Sequence, residues 1–271
     1  MGLAFAAIAA GAAAAAPLWL ERRFIRDAEL LDPKFAVAEA ASEETVDHAV
    51  YGAFLESYLK VGDDGVNRVA YGDVTDADKA ALDGYLSSLE GVDPQKLAPA
   101  EQLAFWINAY NAETINLIIE NYPVESIRDI DDAWGQPVMP VSGTALTLDD
   151  IEHGIIRPTA NDPRIHYAVN CASIGCPNLA PTPYAGENVE AMHDAAARDY
   201  ANHPRGIRVE DGEVTASKIY GWYREDFGRN EAEVLDHIRQ YAEPDVVSAL
   251  EGERKIDAYE YDWNLNDATA N

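Results

Sequence analysis

The segment from Pro99 to Asn121 most constrains the fold, because its large side chains recur at the spacing of one helical face. Pro99 suits the first turn of a helix, where its missing N–H group is not needed. The residues on this face are Leu103, Trp106, Ile107, Tyr110, Thr114, Leu117 and Ile118. We therefore expect a long helix in the core, with the rest of the chain packed around it.

Shorter helices and hairpins surround this segment without a regular alternation of strand and helix. The spacing of apolar residues predicts helices over 46–59, 76–89, 148–156, 187–201 and 231–241. Short apolar runs predict strands over 66–71, 164–170 and the start of 255–266. Two hairpins are expected, with turns at Ser142-Gly143 and Asp211-Gly212. This mixture favours a single α+β domain, with several helices on a small, mostly antiparallel sheet, over a doubly wound parallel sheet.

The charge of the chain limits its partners. Acidic residues number 48 against 20 basic ones, which gives a formal net charge of −28. Phosphate backbones repel such a surface, so we expect no nucleic-acid partner. The sequence has no glycine-rich phosphate loop or nucleotide fingerprint, and we predict no cofactor.

The first residues have the composition of an export signal. Residues 2–16 are rich in alanine, with Leu3, Phe5 and Ile8 among them, and end in small residues before Pro17. We expect residues 1–16 to be an export signal, 17–44 a linker or loosely docked helix, and 45–271 one globular domain. The protein is then expected in the periplasm or cell envelope, without stable membrane insertion after removal of the leader. The alternative is an alanine-rich membrane anchor flanked by Arg22 and Arg23.

Reactive side chains are concentrated between His166 and Pro177, and three interpretations compete. The only two cysteines, Cys171 and Cys176, are candidates for a disulfide if the chain between them folds back. Alternatively, Cys171 is a nucleophile with His166 or His153 as its base. In the third interpretation, His153, His166, Cys171 and Cys176 bind zinc, although their spacing is not that of common zinc sites.

Further polar and aromatic residues are candidates for the same site. Asn108 and Asn111 share a face of the long helix, three positions apart, and can orient a histidine or bind a substrate. Glu152 precedes His153 and can support it. The predicted substrate-binding residues are Asn111, Asn170, Ser173, Trp106, Trp222 and Tyr223.

Several motifs resemble one family, the domain-of-unknown-function family numbered 547. They are residues 104–111 (AFWINAYN), 151–153 (IEH), 166–177 (HYAVNCASIGCP), Ser217, 222–223 (WY), 226–228 (DFG) and 261–266 (YDWNLN). The resemblance covers roughly residues 50–266 in one order and implies an exported protein of unestablished activity. A long helix followed by a histidine-bearing strand is also similar to papain-like and transglutaminase-like thiol enzymes, although their helix begins with the cysteine.

These observations lead to one hypothesis and two alternatives. The hypothesis is a cysteine-dependent hydrolase or acyl transferase that acts on amide or peptide substrates, with Cys171, His166, His153, Asn108 and Glu152 as catalytic residues. The first alternative is a non-catalytic binding or scaffold domain stapled by a Cys171–Cys176 disulfide. The second is a zinc-binding protein.

Overall fold

The computed structural model describes residues 18–22, 25–37 and 42–269. The predicted export signal lies outside these residues. The α-helices within them are α1 (Leu18–Glu21), α2 (Ala49–Tyr58), α3 (Asp76–Glu90), α4 (Pro99–Asn121), α5 (Leu148–Ile151), α6 (Arg157–Ala160), α7 (Val189–Ala201), α8 (Lys218–Trp222), α9 (Arg224–Phe227), α10 (Glu231–Tyr241) and α11 (Pro244–Ala249). A π-helical turn, Glu152–Ile156, joins α5 to α6.

The strands form small, separate sheets. They are β1 (Leu59–Val61), β2 (Asn67–Val69), β3 (Pro137–Val141), β4 (Thr144–Thr147), β5 (Ile207–Glu210), β6 (Glu213–Ser217) and β7 (Ala258–Glu260). The pairs β1–β2, β3–β4 and β5–β6 are antiparallel, and β7 adds to β6 in parallel. The α+β prediction is confirmed, with the strands divided among several small sheets instead of one.

Helix α4 is the centre of the larger of two hydrophobic clusters. Its residues are buried on nearly every side between Glu101 and Ile118, so the predicted core helix is confirmed with its expected bounds. The second cluster contains α7, α10 and the β5–β6 hairpin. Ile165 and Ala168 belong to the first cluster while Tyr167 belongs to the second, so this short stretch of chain lies at their junction.

The predicted strand over 164–170 is wrong, because Pro163–Tyr167 is a 3-10 helix. The Asp162 carboxylate accepts a hydrogen bond from the Arg164 amide at 2.8 Å, and Pro163 occupies the first turn. Arg164 also pairs with Asp162, Glu190 and Asp194. Local capping therefore overrides the apolar run that suggested a strand, and the similarity to papain-like enzymes loses the histidine-bearing strand on which it rested.

Two asparagines of α4 hold this region in place. The Asn111 side chain donates to the Ala168 carbonyl at 2.9 Å and accepts from the Asn170 amide at 2.8 Å. Asn108 makes the same pair of bonds with the backbone of Tyr184, at 2.8 and 2.9 Å. Each carboxamide thus replaces a backbone partner for buried loop residues, whose polar groups must be satisfied.

The chain after Asn170 turns sharply and pairs with residues 255–266, the C-terminal arm. Ala172 has a φ of 59°, in the left-handed region. The Gly175 amide donates to the Asp262 carbonyl at 2.8 Å, and a Cβ on Gly175 would lie 2.8 Å from the Asp262 nitrogen. Only glycine permits this close approach, which brings residues 261–263 beside the cysteines.

The segment before α2 is docked on the domain where it is described. The Leu31 amide donates to the Gly154 carbonyl at 2.8 Å, and Phe35 is fully buried against Trp106. Among the described helices, none combines the length and apolar character required of a membrane span.

Replacing Asn111 with alanine should lower the free energy of unfolding by about 2–4 kcal/mol, because it leaves two buried backbone groups without partners. Urea denaturation measures this change. The control is Asn116→Ala on the same helix, whose amide makes only a 3.4 Å contact with Glu120 and should change stability by less than about 0.5 kcal/mol. Equal effects of the two substitutions would contradict the role given to Asn111.

Candidate functional site

A pocket of about 360 Å³ opens at the junction of the two hydrophobic clusters. Its aromatic lining consists of Tyr110, Trp134, Trp222, Tyr223, Tyr261 and Trp263. Its ionisable lining consists of Glu21, Arg128, Asp149, Glu152, His153, His166, Cys171 and Cys176. The pocket therefore combines an apolar wall with groups able to act as nucleophile, acid or base, which is the usual composition of a small-molecule site.

Both cysteines are free thiols that lie against each other. Their sulfur atoms are 2.7 Å apart, longer than the ~2.05 Å of a disulfide bond, so the predicted disulfide is not formed in this structure. The Cys171 amide donates to the Cys176 sulfur at 3.1 Å. The Tyr261 hydroxyl lies 3.0 Å from the Cys176 sulfur and 3.2 Å from that of Cys171.

These contacts make the two thiols unequal. Burial opposes ionisation of Cys176, but hydrogen bonds from Cys171 and Tyr261 lower its pKa to about 7. The hydrogen bond to Cys176 and burial raise the pKa of Cys171 well above its ordinary value. Burial also raises the pKa of Tyr261, which therefore remains a hydroxyl donor. The negative charge of the pair consequently resides on Cys176, which receives a backbone N–H donor as well.

His166 forms a dyad with Asp226. Its Nε2 is 2.7 Å from the Asp226 carboxylate, and its ring stacks on Tyr223 with centroids 4.0 Å apart. Burial lowers the pKa of His166, so the ring is neutral at neutral pH. Because a carboxylate requires a donor, the pairing assigns the proton to Nε2 and the lone pair to Nδ1. Among the described residues, Nδ1 has no hydrogen-bond partner.

Arg157 also binds the Asp226 carboxylate of this dyad. It makes a bidentate pair with Asp226, at 2.7 and 3.1 Å, and its guanidinium lies 5.0 Å from the centre of the Tyr223 ring. Although burial opposes ionisation, hydrogen bonds from His166 and Arg157 hold the pKa of Asp226 well below its usual range. The carboxylate is thus charged at neutral pH and fixes the orientation of the imidazole.

Glu152 and His153 reach the pocket from the π-helical turn. A π turn is wider than an α turn, and such insertions are frequent at functional sites. The Glu152 carboxylate lies 3.8 Å from His153 Nδ1 and 4.0 Å from His166 Nδ1. His153 Nε2 lies 3.7 Å from Asp149. Burial opposes ionisation of Glu152, but the two histidines and Arg157 lower its pKa, so it is a buried carboxylate between two imidazoles.

The aromatic residues of the lining form a wall, the aromatic wall, that extends from the thiols along the C-terminal arm. The Trp263 ring lies 4.6 Å from Tyr261, 5.5 Å from Trp222 and 6.0 Å from Trp134. The Trp222 indole donates to Glu21 at 2.9 Å, which ties α1 to the pocket edge. Edge-on and tilted ring contacts of this kind make a rigid surface against which apolar parts of a ligand can pack.

The structure divides the predicted site residues into two groups. Those that line the pocket are Glu152, His153, His166, Cys171, Cys176, Trp222 and Tyr223. Those outside its lining are Trp106, Asn108, Asn111, Asn170 and Ser173. Asn108 and Asn111, predicted to orient a histidine or bind a substrate, each bind loop backbone in this structure.

Packing and hydrogen bonds within the fold also surround Trp106, Asn170 and Ser173. Trp106 is 1% exposed and packs on Phe105, away from the pocket lining. The Asn170 carboxamide binds the Pro177 carbonyl and the Ala172 amide, each at 2.8 Å, and shapes the cysteine loop. Ser173 is buried, with its hydroxyl 3.7 Å from the Cys171 sulfur.

Several residues of the pocket lining, and Asp226, the partner of His166, were absent from the predicted site. Tyr261, Trp263 and Asp226 occur in the motifs that carry the family resemblance, which was the available signal for them. Arg128, Trp134 and Asp149 belong to no such motif. They are brought to the pocket by the loop before β3 and by α5, and nothing in their local sequence indicates it.

Two contacts expected from the sequence are not found. Within the described residues, neither imidazole lies within hydrogen-bonding distance of a cysteine sulfur, because His166 is paired with Asp226 and His153 with Asp149 and Glu152. The same part of the chain contains no group of three or more His, Cys, Asp or Glu side chains arranged to hold a metal ion. The four side chains of the zinc hypothesis thus fall into a sulfur pair and a histidine–carboxylate cluster.

Part of the chain matches a protein-family model. Residues 94–201 match the model described as Protein of unknown function, DUF547. The motifs at 222–228 and 261–266 lie beyond the matched segment. No curated protein and no solved structure matches the chain. The resemblance that the motifs predict is therefore confirmed over residues 94–201, which contain both thiols and both histidines of the pocket and match the DUF547 family of proteins of unknown function.

Proposed function

We propose that the pocket is the active site of a thiol-dependent hydrolase or acyl transferase that acts on amide or peptide substrates. The observation that carries the proposal is the convergence of two thiols, two histidines and Glu152 on one pocket. Nucleophile and acid–base groups in one partly apolar cavity are the requirements of acyl transfer.

The nucleophile in this proposal is Cys176, supported by Cys171. A thiol with a pKa of about 7 is substantially ionised at neutral pH without proton transfer to a histidine. The sulfur attacks the carbonyl carbon of the amide, an S–C bond forms and the C–N bond breaks. The Tyr261 hydroxyl, which borders both sulfurs, is placed to donate to the carbonyl oxygen as negative charge develops.

The histidines then serve the proton transfers. His166 has its Nδ1 lone pair free and its Nε2 held by Asp226, the arrangement that orients a general base. Because His166 is neutral, the departing amine takes its proton from solvent water, which leaves a hydroxide ion. His166 then takes a proton from the water or acceptor that attacks the thioester, which releases the acyl group and restores the thiolate, and it returns this proton to the hydroxide.

The exported location is part of the same proposal and rests on the alanine-rich residues 2–16. An oxidising compartment favours disulfides, so the redox state of the sulfur pair decides whether a thiol is available as a nucleophile. The second candidate function is therefore a non-catalytic binding or scaffold domain stapled by Cys171–Cys176, and the 2.7 Å approach of the sulfurs specifically favours it.

The pH dependence of alkylation tests the nucleophile. In the wild type, where the raised pKa of Cys171 keeps that thiol protonated, the rate of Cys176 alkylation by iodoacetamide, followed by peptide mass mapping, should rise with pH and reach half its maximum near pH 7, as the thiol pKa of about 7 requires. Adding Tyr261→Phe should move this midpoint upward by about one pH unit, because the thiolate loses a donor.

The matched control for this substitution is Tyr259→Phe, two positions earlier on the same arm, whose hydroxyl binds Glu231 instead. It should leave the profile unchanged. A midpoint near the ordinary cysteine value of about 8.5 would remove Cys176 as a neutral-pH nucleophile.

Acyl transfer itself can be measured with p-nitrophenyl acetate, an activated acyl donor. We expect the acetyl group to appear on Cys176 by peptide mass mapping, and His166→Gln to slow its release by about a hundredfold through loss of the general base. His203→Gln, which removes a histidine bound to the Asp64 carbonyl outside the pocket, should not alter turnover. Unchanged turnover in His166→Gln, or absence of acetyl-cysteine, would refute the mechanism.

Intact mass separates the two candidate functions. Protein purified from the envelope is alkylated before reduction and compared with a sample reduced first. Two alkyl groups before reduction support free thiols and the enzyme. Alkylation only after reduction makes Cys171–Cys176 a bridge and supports the stapled domain, for which reduction should lower the melting temperature modestly because the closed loop is short.

A further inference from the structure

Arg128 is the one arginine or lysine among the described residues that line the pocket. Its guanidinium makes no ion pair within the described part of the chain, although the protein carries 48 acidic residues. The neighbouring carboxylate of Asp129 is occupied, because it accepts from the amides of Glu125 and Ser126 at 3.1 and 3.0 Å. An exposed guanidinium in so acidic a chain is therefore left with its donors available.

The position of Arg128 is set by an aromatic ring. Its guanidinium lies 5.2 Å from the centre of the Trp263 ring. Stacking of this kind holds the planar cation in place and leaves its edge free for bidentate bonds to a carboxylate. The site is thus preorganised for an anion.

The aromatic wall connects this cation to the thiols. Trp263 contacts Tyr261 with ring centres 4.6 Å apart, and the Tyr261 hydroxyl reaches both sulfurs. The reacting end of a substrate and its anionic end would therefore be separated by the width of two aromatic rings. That gap suits an apolar or aromatic portion of the substrate.

The carboxylates of the pocket are already engaged, which argues against a cationic ligand. Glu21 pairs with Lys218 at 2.6 Å, and Glu152 lies between His153 and His166. Asp149 faces His153 at 3.7 Å. The charge left unpaired in the lining is the positive one.

We propose that the pocket takes amide or acyl substrates that carry a carboxylate, which Arg128 binds at the far end of the aromatic wall from the thiol pair. This inference rests on the proposed function, because it takes the thiols as the reacting end. The substrates are then N-acyl amino acids or short peptides with an apolar side chain and a free carboxylate.

Two probes that differ only in the anionic group test the proposal: N-acetylphenylalanine and its primary amide. Each is titrated into the full chain while tryptophan fluorescence is recorded, since Trp134, Trp222 and Trp263 line the pocket. We expect the acid to bind about tenfold more tightly than the amide, as a charge-assisted bidentate bond predicts. Arg128→Gln should abolish this preference and leave the affinity for the amide unchanged.

The matched control is Arg254→Gln, an exposed arginine outside the pocket lining, which changes the net charge by the same amount. It should retain the preference for the acid. Equal affinity for both probes, no binding of either, or a preference that survives Arg128→Gln would overturn the proposal. Tighter binding of the amide would do the same and indicate a site that disfavours anions.

Binding in a Cys171→Ser, Cys176→Ser double variant separates this inference from the proposed chemistry. One outcome is that the double variant keeps the preference for the acid while the wild type shows no acetyl transfer. That result would support an anion-binding pocket and refute the proposed enzyme. Acetyl transfer without any preference for the acid would leave the enzyme and refute the role of Arg128.

Discussion

The two hydrogen bonds of the Asn111 carboxamide are the contact on which the site depends. They join the centre of the core helix to the Ala168 carbonyl and the Asn170 amide, in the few residues that separate His166 from Cys171. This stretch has no sheet neighbour to satisfy its backbone, because it follows a 3-10 helix and precedes a sharp turn. A buried side chain therefore performs the role of a neighbouring strand, and the positions of the thiols and His166 follow from it.

The C-terminal arm is the second constraint. It pairs with the cysteine loop through the Gly175 and Ile174 amides and so places Tyr261 against both sulfurs. The same arm carries Trp263 to Arg128. Residues far apart in the chain thus determine the pKa of Cys176 and the shape of the pocket, and the two hydrophobic clusters meet where their contributions converge.

The electrostatics of the pocket divide it into two functional halves. On one side, Asp226 and Glu152 surround the histidines and keep the charged groups in closed pairs. On the other, the Tyr261 hydroxyl borders both sulfurs and the Cys171 amide donates to the Cys176 sulfur, without contact of either sulfur to an imidazole among the described residues. The sulfurs and the imidazoles are thus held by separate sets of hydrogen bonds, unlike those of a thiolate–imidazolium pair.

Much of this could be predicted from the sequence, since its signals are local. The bounds of the core helix, the turns at Ser142-Gly143 and Asp211-Gly212, and the concentration of reactive groups near Cys171 all follow from spacing and residue type. The sequence is less informative where long-range contacts determine the position of a side chain. Asn108 and Trp106 are chemically suited to a site but point into the core, and the predicted strand at His166 is a capped 3-10 helix.

The α+β class, the acidic charge, the family resemblance and the identity of the thiols and histidines could all be predicted from the amino-acid sequence. The long-range contacts show in addition that Asp226, Tyr261, Trp263 and Arg128 join them, and that Cys176 is the more acidic thiol. The physical reason is that side-chain direction in irregular segments is set by hydrogen bonds to distant backbone, which no local periodicity encodes.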